Sequence, residues 1–159
     1  MLHGAPSDAI QKLERVQNNA TRIVVQAPKR SHAKPLLQVL HWLPVEQRIT
    51  YNLAVLTFKI RRTSTPAYLS RHIAATRSHT RSLRSSPIPL LQTPFSRTSF
   101  GKRAFSTAAR PSTWNSLPAS VLDTDSLAVF KLFKSKLKTH LFIVVLPIVD
   151  CNLVFRQRL

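Results

Sequence analysis

From Gln47 to Leu122 the chain contains no acidic residue. The same interval holds Arg48, Lys59, Arg61, Arg62, Arg71, Arg77, Arg81, Arg84, Arg97, Lys102, Arg103 and Arg110. Ion pairs inside the segment are therefore impossible. Each cation must face water, a distant carboxylate or a bound anion. Like charges crowded together repel one another and oppose a compact state. Over all 159 residues, 24 Lys and Arg face 6 Asp and Glu, a formal net charge of +18. A polyanion relieves that repulsion and releases its own counterions as it binds. Nucleic acid is the first candidate partner and an anionic membrane surface the second. A solvated basic surface with no partner is the bland alternative, and the pI of about 11.7 weighs against it.

The chain is 43% hydrophobic, enough to bury a core, which disordered chains of this length are not. Its length suits one domain. Eleven prolines against two glycines imply stiff, numerous connections. Cys151 is alone, which excludes an intramolecular disulfide and a Cys-rich zinc knuckle. The longest apolar stretch, Leu141 to Val149, is broken by Pro147 and stops at Asp150. A spanning helix needs about 20 apolar residues, so no transmembrane segment is expected. Met1 to Ile10 lacks the basic lead and apolar core of a signal peptide. Where the chain acts is not fixed by the sequence; if expressed, an intracellular setting, nuclear or cytoplasmic, is expected.

Apolar residues at helical spacing predict three longer helices. The first runs from a cap at Ser7 or Asp8 to about Ala27. Its apolar face is Ile10, Leu13, Val16, Ala20, Ile23 and Val24, with Lys12, Arg15, Asn19 and Arg22 opposite. Pro28 to Lys34 reads as a basic connector, followed by the short apolar segment Leu36, Leu37, Val39, Leu40. Pro44 opens a second helix, with Val45, Ile49, Leu53, Leu56 and Ile60 in register. Arg61 and Arg62 stand at its end, where the helix dipole favours cations. Pro66 to Leu69 suggests one helical turn. Thr76 to Ser86 reads as exposed loop, with the least order expected from Arg71 to Ser86. Leu83 to Leu91 and Phe95 to Phe105 read as short extended pieces. Ala104 to Trp114 reads as a short helix or turn broken by Pro111. Trp114 to Pro118 forms a tight turn with Trp114 buried. The last helix spans Ser126 to about Phe142 on a stripe of Leu127, Phe130, Phe133, Leu137 and Leu141, with Lys131, Lys134 and Lys138 snorkelling along its flank.

Catalytic constellations are missing from the sequence. Asp123 and Asp125 directly precede a helix, where Asp is a routine cap and dipole partner. The other four acids stand apart, so no carboxylate pair offers two-metal chemistry. The six histidines have no zinc spacing. Two glycines cannot build a phosphate loop. No enzyme, metal or cofactor is expected. Arg77, Arg81 and Arg84 among hydroxyl residues suit phosphate contacts that read no sequence. Trp42, Tyr68, Phe95 and Trp114 are candidates for stacking on bases, although core packing is the commoner role for each.

Several blocks, in order, resemble one family. Leu13 to Val24 (LERVQNNATRIV) resembles the "L-x-R-V-Q-N-x-A-x-R" stretch, with Val or Ile at its fourth place, that follows the polymerase core in LINE-type (non-LTR) retrotransposon reverse transcriptases of the jockey-like and related clades. Leu2 to Pro6 is similar to the "L-Y-G-A-P" lead-in. Leu40 to Ile49 (LHWLPVEQRI) is similar to "L-H-W-L-P-V-x-x-R-I", the most specific block. Pro66 to Leu69, Arg81 to Ser85, Gly101 to Ser106, Trp114 to Pro118 and Phe130 to Phe142 resemble the remaining elements. Arg110 falls where the family has a shorter spacing before its Trp-Asn pair. The resemblance covers roughly residues 2–142 and leaves 143–159 as an unmatched apolar tail.

The parent proteins so implied copy element RNA into DNA at a nicked target, with endonuclease and polymerase ahead of this region. Neither catalytic motif occurs here. The expectation is a mainly α, single small helical domain with irregular Pro/Ser/Arg-rich connections and at most a short β-hairpin. It would be non-catalytic and would bind RNA or DNA through the phosphate backbone, with the missing polymerase core as a further partner. The residues expected to carry binding are Lys12, Arg15, Arg22, Arg77, Arg81, Arg84, Lys102 and Arg103. The competing expectations are a structural remnant of a decayed element and a basic protein of the membrane surface.

Overall fold

The computed structural model describes residues 2–74, 91, 95–102, 104–108, 113–122 and 129–145. These are mainly helical, and no strand occurs among them. In order come α1 (Ser7–Val25), α2 (Ala33–Val39), α3 (Val45–Thr63), α4 (Ala67–Ala74), α5 (Ser99–Lys102), α6 (Phe105–Ala108), α7 (Ala119–Leu122) and α8 (Val129–Val145). The expected helical class holds. The Thr76–Ser86 loop, the Leu83–Leu90 part of an extended piece, and Asp123 to Ala128 at the expected start of the last helix lie outside the described residues.

The helices form two compact units. One comprises residues 1–4 and 49–136, the other residues 5–48 and 137–159. Both α3 and α8 contribute residues to each.

The first unit is built on stacked rings. Phe133 of α8 is fully buried and lies face to face with Phe58 of α3, centroids 4.2 Å apart at 15°. Phe130 extends the stack to 6.0 Å from Phe58, and Trp114 covers Phe133 at 6.3 Å. Leu53, Ala54, Ile60, Ile73, Leu117 and Val121 complete this core. Thr57 is also fully buried, and its hydroxyl donates to the Leu53 carbonyl at 2.8 Å, which satisfies a polar group that would otherwise destabilise the core. The expected turn at Trp114 forms, with the Leu117 N–H donating to the Trp114 carbonyl. Beside it, the Asn115 amide binds the Leu91 backbone in both directions. The Leu91 N–H donates to Oδ1 at 3.0 Å, and Nδ2 donates to the Leu91 carbonyl at 2.9 Å.

In the second unit α2 lies against α1, and Leu36, Leu37, Leu43, Leu137 and Leu141 are buried. The face of α1 that packs differs from the one its apolar spacing predicts. Thr21 is the buried residue of the helix, its hydroxyl donating to the Gln17 carbonyl at 2.8 Å. Gln17 is partly buried and donates from Nε2 to the Leu43 carbonyl at 2.8 Å. Val16 and Ile23 are 67% and 77% exposed, and Leu13 and Val24 are exposed as well. Polar residues can occupy the inner face because each finds a backbone acceptor, so hydrophobicity alone misjudges which side faces in.

Helix ends also depart from expectation. Neither Ser7 nor Asp8 caps α1. Pro6 takes that position with no side-chain hydrogen bond, and its carbonyl accepts from the Ala9 and Ile10 N–H groups. The C-termini share one device. Gln26, His41 and Ser64 adopt left-handed φ angles of 56°, 52° and 54°. At Gln26 the Ala27 N–H donates to the Arg22 carbonyl and the Gln26 N–H to Ile23, and at His41 the Trp42 N–H donates to Leu37 and the His41 N–H to Gln38. These are paired Schellman bonds. At Ser64 a single bond runs from its N–H to the Ile60 carbonyl. Glycine usually takes such positions because it has no Cβ to strain. A chain with two glycines stops three of its helices without it.

α4 has about two turns where one is expected, and it takes in Arg71 to Ala74. It follows a cis peptide bond between Thr65 and Pro66. The Phe95–Phe105 segment is not extended but contains α5. The Thr98 hydroxyl accepts from the Gly101 N–H at 3.0 Å, which caps that turn. A Cβ on Gly101 would meet the Ser96 and Thr98 hydroxyls, which would have to turn aside. α8 runs on to Val145, three residues past its expected end.

Gln26→Gly should stabilise the protein by about 1 kcal/mol, the left-handed strain relieved less the added freedom of the unfolded chain. Gln26→Ala, which keeps the strain, should leave stability nearly unchanged. Urea midpoints of the two variants measure the difference.

Candidate nucleic-acid interface

Every carboxylate of the first unit falls at Asp123 or Asp125, outside the described residues, so the surface described there carries cations only. α3 ends in three of them. Lys59 and Arg62 are exposed one turn apart, and Arg61 is half-buried. The Arg61 guanidinium stands 4.9 Å from the Trp114 ring centroid and that of Arg62 5.6 Å from Phe58. On α8 the Lys134 ammonium sits 4.3 Å over Phe130. The buried ring stack thus carries a cationic edge, each charge held by the negative face of an aromatic ring. Lys136 donates to the Ser120 carbonyl at 3.2 Å, and Lys131 is exposed. Arg71 on α4 and Arg97 ahead of α5 are exposed too.

The aromatics divide sharply. Trp114 is buried and Trp42 half-buried, so packing accounts for both. The Trp114 Nε1 has no hydrogen-bond partner. Tyr68 is 67% exposed and Phe95 87%. Phe100, which carries no signal of its own in the sequence, is 83% exposed. The Arg97 guanidinium lies 6.0 Å from the Phe95 ring. α6 touches α4, which carries Tyr68, and α5, which carries Phe100. Exposure of an aromatic ring cannot be read from periodicity in segments of one or two turns, so only the structure separates Tyr68, Phe95 and Phe100 from the core rings.

Of the eight expected binding residues, three have described side chains, and all lie on α1 in the second unit. Lys12 and Arg15 are exposed and one turn apart. Lys12, expected opposite the apolar face, instead flanks it, one turn before the uncovered Val16. Arg22 is engaged internally. Its Nε donates to the Ser31 carbonyl at 3.0 Å and Nη1 to Asn19 Oδ1 at 3.1 Å. Arg22 thereby fastens the connector that carries exposed Lys29 and Arg30, so it positions other cations more than it offers its own. Lys102 is the last residue of α5, and nothing further is described of its side chain. Arg77, Arg81, Arg84 and Arg103 lie outside the described residues.

Among the described residues, two groups have shifted pKa values. Burial pushes the His3 imidazole below its ordinary pKa and the Tyr51 phenol above its own. Neither adds charge to the surface. Among the described residues no three His, Cys, Asp or Glu side chains gather where a metal could be held, and no helix is long and apolar enough to cross a membrane. Comparison with protein-family models, curated proteins and solved structures returns no match.

The two roles on α1 are separable. Arg22→Ala should lower stability by about 1 kcal/mol through the lost hydrogen bonds. Lys12→Ala and Arg15→Ala should each stay within about 0.5 kcal/mol of the parent, as exposed substitutions do. Thermal unfolding of the three variants tests the assignment.

Proposed function

We propose that this chain is a non-catalytic nucleic-acid-binding segment, the region that follows the polymerase in a LINE-type reverse transcriptase, and that it holds RNA or DNA by the phosphate backbone. The observation that carries the reading is the acid-free run from Gln47 to Leu122. Its support is twofold. The described part of that run in the first unit exposes Lys59, Arg62, Arg71 and Arg97, and the sequence blocks from Leu2 to Phe142 keep the order they have in the family. Phosphate contacts of this kind fix a nucleic acid in place without reading its bases. Lys29 and Arg30 of the connector and Lys34 of α2, all exposed, add to the same charge.

The test is affinity against salt. Binding to a single-stranded RNA should weaken linearly in a plot of log K against log salt, and replacing Arg77, Arg81 and Arg84 together by alanine should reduce the slope by about 2. All sequences should be weakened alike. Affinity indifferent to salt would refute the proposal.

A second reading has its own observation. The α1 stripe of Leu13, Val16, Ile23 and Val24 is uncovered, as expected of a remnant that has lost a neighbour such as the polymerase core. On this reading the isolated chain self-associates, and Val16→Lys with Ile23→Lys restores a monomer of unchanged helicity in sedimentation velocity. A parent chain that is already monomeric at high concentration contradicts it.

A further inference from the structure

Three rings of the first unit are out of place for a molecule that touches only phosphates. Tyr68, Phe95 and Phe100 are each at least two-thirds exposed, while Phe58 and Phe133 of the same unit are buried. Leaving large aromatic surface in water forgoes the stabilisation that burial would give. A partner recognised by charge alone would gain nothing from these rings.

Their setting narrows what such rings can meet. Phe95 and Phe100 flank the turn that Thr98 caps. The Ser96 hydroxyl donates to the Thr98 carbonyl at 3.2 Å and fixes the lead into that turn. Tyr68 lies on α4, and Arg71 one turn further along is exposed. The helices of Tyr68 and Phe100 both touch α6. Cations accompany the rings. Arg97 stands beside Phe95, and Arg71 shares the helix of Tyr68. No acidic residue occurs anywhere between Gln47 and Leu122 to repel a phosphate.

Rings at the surface with cations beside them suit a ligand that has flat faces joined by anionic links. In a duplex those faces are stacked on one another and closed to a protein surface. In a single strand they are open, and aromatic side chains can stack on successive bases whatever the sequence. We propose that Tyr68, Phe95 and Phe100 form a stacking surface for unpaired bases, with Arg71 and Arg97 on the adjoining phosphates, so that the ligand is single-stranded nucleic acid. The assignment rests on the nucleic-acid reading above and sharpens it from backbone contact to a choice of strand state.

The experiment is fluorescence anisotropy of the full chain with a labelled single strand of mixed sequence and with the blunt duplex of the same length, at one salt concentration. The parent should prefer the single strand. Tyr68→Ala, Phe95→Ala and Phe100→Ala should each weaken single-strand binding by roughly fivefold to a hundredfold. Duplex binding should stay the same, and so should the circular dichroism, because the rings are exposed. Tyr68→Phe should restore binding, since the ring and not the hydroxyl stacks. Equal, salt-dependent affinity for both strand states that the alanine variants do not alter would overturn the stacking surface and leave the phosphate reading standing. Binding to neither would overturn both.

Discussion

The stack of Phe58 on Phe133 holds together the parts of the first unit that lie far apart in sequence. It joins α3 to α8, and Trp114 closes over it from the turn between α6 and α7. Without it, the chain between those helices would have short helical pieces but little to gather them. Dispersion and hydrophobic burial concentrate in a few large rings here, which suits a segment whose remaining residues are mostly Ser, Thr, Pro and Arg. The charge is accommodated by the same rings. Arg61, Arg62 and Lys134 each lie over one of them, so part of the cationic surface is drawn in by the core it surrounds.

Much of the fold was legible from spacing. α3 and α8 form where expected, and of their expected stripes Leu53, Ile60, Phe133, Leu137 and Leu141 are buried, Val45, Ile49, Leu56 and Phe130 half-buried, while Leu127 lies outside the described residues. Both helices are long, and their inward residues are large and apolar, so period and burial agree. α1 is also long and was identified as a helix, but its inner face is occupied by Gln17 and Thr21. Their hydrogen bonds to Leu43 and to the preceding turn make burial affordable. A pattern of hydrophobicity carries no information about whether a distant carbonyl will be there to accept. The short elements were the least legible. A turn such as α5 is held by the Thr98 hydroxyl on the Gly101 N–H, which is a single contact and not a periodic signal.

The candidate site was visible chiefly as charge. The acid-free interval is a property of composition and could be read directly. The part played by an individual cation could not. Arg22, placed with Lys12 and Arg15 by helical spacing, turns towards Ser31 because the connector's carbonyl comes within reach once α1 ends at Gln26. In the same way, candidate stacking rings could be named from the sequence, but Trp114 and Phe95 are indistinguishable there. They part company because one lies against Phe133 and the other in an irregular stretch with no core beneath it.

The grip of Asn115 on Leu91 has a chemical consequence. It requires a donor and an acceptor on one short, flat group, and among the side chains only the amides of Asn and Gln offer both on neighbouring atoms. Hydrolysis of that amide to a carboxylate, the usual ageing reaction of asparagine, would leave two acceptors, one of them facing the Leu91 carbonyl. It would also place a negative charge inside the acid-free run, next to the tryptophan that Arg61 covers. The partly buried setting that makes the clamp effective is thus also where spontaneous deamidation would do the most harm, so the chemical lifetime of this one side chain bears on how long the fold around Trp114 persists.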